Sequence, residues 1–141
     1  MSDHVTSANV PAGVRKVFEE TWNEPTGLPG GLATVDNYRI GIQFLITSFT
    51  FFLVGGAFAL LMRIQLARAD NTFLGPETYN QLFTMHGTIM MYLFAVPLQE
   101  GLPALLLPWL LGARDLAYPR LTAFSYWVFL FSGLIFLSGF L

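Results

Sequence analysis

Three long apolar blocks organise the sequence from residue 40 onward, separated by short polar stretches. The first runs from Ile40 to Met62, flanked by Arg39 and Arg63. As a helix it spans roughly 34 Å, enough to cross a hydrocarbon core of about 30 Å. The loop RIQLARADNTFLGPETYN comes next, and Gly75-Pro76 reads as the start of a second helix. This second block is unusually long, about Pro76 to Ala113, with PLQEGLP inside it. Apolar sequence resumes directly after Pro97 and Pro103, so the prolines predict kinks in one long tilted helix, in preference to two half-helices around a break. The polar loop RDLAYPR leads to a third block, from near Thr122 to Leu141. That block reaches the last residue with no charged flank, which reads as a fragment or one piece of a split polypeptide.

The segment ahead of these blocks has a different character. Residues 1–10 are polar, and PAGVRKVFEETW reads as a short amphipathic helix. Pro11 suits its first position, with Val14, Val17, Phe18 and Trp22 on one face. Such a face fits a membrane surface or another subunit equally well. NEPTGLPGG is a linker. The expected organisation is a tail over residues 1–38 and a membrane region over 39–141.

Composition agrees with the blocks. Of 141 residues, 54% are hydrophobic and 11% charged, against about 25% charged in a soluble domain. The fold class is therefore all-α, a transmembrane helical bundle with three spans. A net charge of -2 gives no reason to expect a nucleic-acid partner. The absence of cysteine excludes disulfides, thiolate metal sites and cysteine nucleophiles. Nothing in the first 35 residues has the apolar core of a signal peptide, and their acidic residues do not suit a transit peptide. Arg15, Lys16, Arg39, Arg114 and Arg120 oppose Arg63 and Arg68 across the spans. That bias places the amino terminus and the Asp115 loop inside and the Arg63–Tyr79 loop outside.

Within QLFTMHGTIMMYLFAVP, His86 is the one residue with an acidic or basic side chain near neutral pH. It lies about 15 Å below the outer end of the second helix, where an ionisable group is a functional hypothesis by default. Three uses are open: a proton relay, an interhelical hydrogen bond, or an axial ligand to haem iron. Gly87 leaves room for a flat macrocycle. Met85, Met90, Met91 and Phe94 offer adaptable apolar surface. Tyr79 and Glu100 stand seven residues before and fourteen after His86, so all three project in similar directions on an ideal helix, less securely for Glu100 beyond Pro97.

Four segments, in order, resemble subunit I of the haem-copper oxidases: TVDNYRIGI, ALLMRIQL, YNQLFTMHGTIMM and GARDLAYPRL, within about residues 34–141. The resemblance implies the amino-terminal portion of a larger polytopic subunit. It implies that His86 is one of two axial histidines of a low-spin haem, of haem a type. It further implies that Arg63 contacts the haem edge, that Tyr79 and Asn80 lie at the outer end of the second helix, and that Asp115 marks a proton entrance at the inner side. If His86 ligates iron, its other ring nitrogen needs a hydrogen-bond acceptor to fix the tautomer. Without the resemblance, Arg63 reads as a snorkelling arginine and Asp115 as a loop carboxylate paired with Arg114 or Arg120. The implied activity is a terminal oxidase that passes electrons from cytochrome c, through subunit II, to dioxygen with proton translocation. The implied partners are the rest of subunit I, subunit II, other oxidase subunits and membrane lipid. The implied location is a bacterial cytoplasmic membrane or the mitochondrial inner membrane.

The departures are specific. Ala104 and Thr122 stand where the family has proton-channel asparagines, and Gln99 or Glu100 is expected to organise water instead. Gln65 replaces a cation-binding glutamate, so that site is not carried over. Val54, Phe58 and Thr78 occupy positions where quinol-oxidising relatives can bear arginine, aspartate and histidine, which favours cytochrome c over quinol as donor. The histidines needed by copper B, the high-spin haem and the second low-spin position are absent, since the other histidine is His4. Alternatives are a small membrane cytochrome in which two copies each donate His86, a structural membrane subunit, and, within the family, a quinol oxidase or nitric oxide reductase.

Overall fold

The structure is a computed structural model and describes residues 11, 13–17, 30–31, 33–113 and 115–139. The chain divides into two units between Thr34 and Val35. In the first, residues 13–17 are helical, and the Arg15 amide donates to the Pro11 carbonyl at 3.0 Å. Val14 and Val17 are exposed, while Phe18 and Trp22 lie outside the described residues.

The second unit is all-helical, with no strand among the described residues. Helix α1 covers Asn37–Gln65. It begins before the apolar block because the Asp36 carboxylate caps it, accepting from the Tyr38 amide at 3.0 Å. Helix α2 covers Pro76–Thr88, with proline at its first position. It runs on through a π-helical segment, Ile89–Ala95, into α3, Val96–Leu111. Gly112 ends α3 in the left-handed region at φ 63°, and the Ala113 amide returns to the Pro108 carbonyl at 2.9 Å. Helix α4 covers Pro119–Ser138, again started by proline. Among the described residues, three helices are long and apolar enough to cross a membrane: Asn37–Gln65, Pro76–Leu111 and Pro119–Ser138.

The second span is thus one continuous helix, and the turn before Pro97 absorbs the distortion. Pro97 has no amide to offer the Leu93 carbonyl, and its ring would collide with that oxygen in a regular α-turn. Widening the turn relieves both: the Val96 amide donates to the Met91 carbonyl, five residues back. One extra residue in a turn rotates the rest of the helix by about 100°. The shared direction expected for Tyr79, His86 and Glu100 therefore fails at Glu100, which is turned away from the face carrying His86.

Helix α1 is the common wall, packed against α2, the π segment, α3 and α4. Glycines set the closest approaches, as suits helices that associate by packing in lipid. A Cβ on Gly41 would lie 3.0 Å from the Gly101 carbonyl oxygen and 2.7 Å from Leu105 Cγ. One on Gly133 would lie 2.7 Å from Phe51 Cζ. Aromatic rings fill the space beside α4. Phe44 meets Tyr126 edge-on at 5.2 Å and stacks on Phe129 at 5.6 Å. Buried Phe51, Ile89 and Leu93 form a second cluster.

Candidate functional site

His86 lies in the last turn of α2, half-buried, just before the π segment. Its Nδ1 is 2.9 Å from the carbonyl oxygen of Gly55 on α1. A carbonyl only accepts, so Nδ1 must carry the proton, and Nε2 keeps its lone pair. Gly55 makes the contact geometrically possible. A Cβ there would stand 3.0 Å from Met90 Sδ and 3.1 Å from Ile89 Cγ2, so those side chains would have to give way by a few tenths of an ångström. On the flank beside the imidazole, a Cβ on Gly87 would meet nothing within 4 Å. An orienting acceptor, a free Nε2 and an open flank are what an axial haem ligand requires. Among the described residues, no three His, Cys, Asp or Glu side chains gather to hold a bare metal ion.

Arg63 occupies the last turn of α1, two turns beyond Gly55, or about 12 Å along the axis. It is exposed and has no hydrogen-bond or ion-pair partner among the described residues. Tyr79 is half-buried and lines a cavity of about 560 Å3 with Gln65, Asn71 and Asn80. Gln65 is committed to the loop there. Its Oε1 accepts from the Leu74 amide at 2.7 Å, and its Nε2 donates to the Asn71 carbonyl. Asn71 Nδ2 in turn donates to the Ile64 carbonyl at 2.9 Å. An amide can serve as donor and acceptor at once, whereas an ionised glutamate has no proton to donate. Gln65 and Asn71 thus form a hydrogen-bonded loop clamp.

Asp115 sits at the other end of the bundle. Asn37, in the first turn of α1, donates through Nδ2 to Asp115 Oδ1. The Leu116 amide donates to the same oxygen at 2.9 Å. Asp115 is exposed, whereas Asn37 is 2% exposed. Asn37 Oδ1 is buried with no hydrogen-bond partner in the structure. Arg120 has no ion-pair partner among the described residues, and Arg114 lies outside them. Sequence reading missed Asn37. The signal was there, because a second polar residue directly follows the helix cap in TVDNYRIGI.

Beside this end, a groove of about 790 Å3 opens between α3 and α4. It brings together Gln99, Glu100, Ala104 and Thr122 with Ser125, and reaches Leu116, the residue after Asp115. Asn37 and Gly55 mark the two sites along α1 and are separated by roughly 27 Å of helix. His86 and Asp115 are therefore held at opposite ends of one scaffold.

The profile of the family described as Cytochrome C and Quinol oxidase polypeptide I matches residues 39–141. A putative cytochrome c oxidase subunit 1-beta of Streptomyces coelicolor is 56% identical over 108 residues, covering 77% of this chain and 19% of the relative. The cytochrome c oxidase subunit 1 of Corynebacterium efficiens is 44% identical over 110 residues, covering 78% and 19% respectively. That of Synechocystis is 46% identical over 106 residues, covering 75% and 19%. The chain thus spans about a fifth of the length of the curated relatives it matches. With the three apolar helices and the ordered motifs, these matches establish that the chain belongs to the family of cytochrome c and quinol oxidase polypeptide I.

Proposed function

We propose that this chain supplies the first three membrane helices of the catalytic subunit of a terminal respiratory oxidase. That enzyme takes electrons from cytochrome c, reduces dioxygen to water and translocates protons. The carrying observation is the His86 Nδ1 to Gly55 contact of 2.9 Å, which leaves Nε2 free on a glycine-flanked face. His86 would hold a low-spin haem of haem a type, with Arg63 at its edge and Tyr79 beyond. When bound, that haem supplies a one-electron carrier. Copper B, the high-spin haem and the second axial histidine belong to the rest of the subunit. Subunit II and other oxidase subunits are partners in the same reading. The setting is a bacterial cytoplasmic membrane or the mitochondrial inner membrane.

The chain's own residues have separable tasks. Gly55 fixes the tautomer and ring plane of His86. Arg63 places a permanent positive charge near the cofactor, favouring its more negative, reduced state. Asp115 gathers protons at the inner surface, held by Asn37 and the Leu116 amide. Cytochrome c is the better donor on this reading, because Val54 and Phe58 pack on the Phe51, Ile89 and Leu93 cluster, a surface without polar groups for a quinol head. A small electron-carrying cytochrome would have no use for a carboxylate anchored by a buried asparagine. The test is steady-state oxygen consumption by the assembled enzyme in vesicles with reduced cytochrome c. Asp115→Asn should slow it at least about tenfold, or 1.4 kcal/mol on the limiting barrier, with haem spectra unchanged. Wild-type turnover with intact proton uptake would leave Asp115 as a loop charge.

A further inference from the structure

Glu100 is a carboxylate in the interior of the second span, about 16 Å along the helix from its end at Leu111. An acidic residue at such a position is costly against lipid and stands facing protein or water. The π segment turns it away from the face of His86, and it lines the groove between α3 and α4. Most of the groove's lining is apolar, with a few polar side chains set into it. Gln99, Thr122 and Ser125 line it together with Glu100. The Thr122 hydroxyl donates to the Tyr118 carbonyl at 3.3 Å and the Ser125 hydroxyl to the Thr122 carbonyl at 2.8 Å. Each hydroxyl oxygen therefore keeps lone pairs for water.

The backbone adds to this. Pro103 and Pro108 lie inside α3. Neither has an amide, so the regular i→i−4 bond is missing at the carbonyls of Gln99 and Ala104. Both of those residues line the groove. Carbonyls released by proline in a membrane helix are met by ordered water or neighbouring polar groups. The wall thus carries acceptors where the Ala104 side chain offers none. Outside the groove's lining, the buried and unpartnered Oδ1 of Asn37, whose amide donates to Asp115, is a further acceptor of the kind that ordered water satisfies.

We infer that Glu100 is the proton carrier of this groove, receiving protons taken up at Asp115 and passing them further into the membrane. This rests on the reading of Asp115 as a proton entrance. A proton from water in the groove adds to a Glu100 carboxylate oxygen and makes the neutral acid. That O–H bond then breaks as the proton moves to the next water inward, restoring the carboxylate; no electron moves. A carboxylate kept only for packing or for snorkelling has no part in proton uptake.

The experiment compares wild-type, Asp115→Asn, Glu100→Gln, Glu100→Asp and the double variant in the assembled oxidase, with the low-spin haem spectrum as the check on assembly. Proton uptake from the inner side and oxygen consumption are read together. Glu100→Gln should slow both at least about tenfold, Glu100→Asp should recover most of the loss, and the double variant should be no slower than the slower single variant. Wild-type proton uptake in Glu100→Gln with Asp115→Asn slowed overturns the role of Glu100 and keeps that of Asp115. The reverse pattern removes Asp115 from the route and keeps Glu100 as carrier. If Glu100→Gln does not assemble, the carboxyl C=O stretch in redox infrared difference spectra decides. A band that shifts in Glu100→Asp supports the carrier, and spectra identical to wild type overturn it.

Discussion

Nδ1 of His86 and the carbonyl oxygen of Gly55 stand 2.9 Å apart and join the second membrane helix to the first. The helices are tightly packed there, because a Cβ at position 55 would stand 3.0 Å from Met90 Sδ. Gly55→Val should therefore push the helices apart, at a cost of about 1–3 kcal/mol, and lengthen the bond that orients the imidazole. The expected result in the assembled enzyme is a lower low-spin haem content and a lower temperature for loss of its spectrum. A haem complement and thermal midpoint equal to wild type would mean that His86 does not depend on this contact.

Arg63 offers a guanidinium with no partner among the described residues, at the end of α1 beyond Gly55. If it lies at the haem edge, its charge stabilises the reduced form. Arg63→Met should then lower the midpoint potential, and a shift of about 59 mV would correspond to one decade for a one-electron couple. A potential unmoved, with normal haem content, would identify a snorkelling arginine.

The spans and the all-helical class were legible because nothing but helices buries such apolar runs in lipid. The boundaries were less so. Asp36 and Pro119 start α1 and α4 earlier than hydropathy indicates, since capping and proline geometry act on the backbone irrespective of side-chain polarity. The response to Pro97 was not legible in detail. A kink, a break and a widened turn all relieve the same clash, and packing against α1 selects among them. That choice removed Glu100 from the face of His86 and placed it with Thr122 and Ser125. His86 was visible because one imidazole interrupts an apolar run, but its acceptor was a glycine carbonyl 31 residues earlier. Backbone acceptors leave no side-chain signature.

The orientation assigned to the two ends rests on five cationic residues against two across the spans. The chain has no cysteine, so single replacements report cleanly. Ala69→Cys should react with an impermeant maleimide added outside, and Ala117→Cys only after the membrane is opened. Position 69 is exposed and position 117 lies in the polar loop ahead of α4. Labelling of position 117 from outside would invert the topology and remove Asp115 from the proton-uptake side.

The central claim is that His86 Nε2 ligates low-spin haem iron, and substitution of that one side chain tests it most directly. His86→Leu in the assembled oxidase keeps the apolar character of the helix and removes the nitrogen. The low-spin haem signal in optical and electron paramagnetic resonance spectra should disappear, with the subunits still associated. A bis-histidine low-spin signal unchanged in this variant would contradict the assignment.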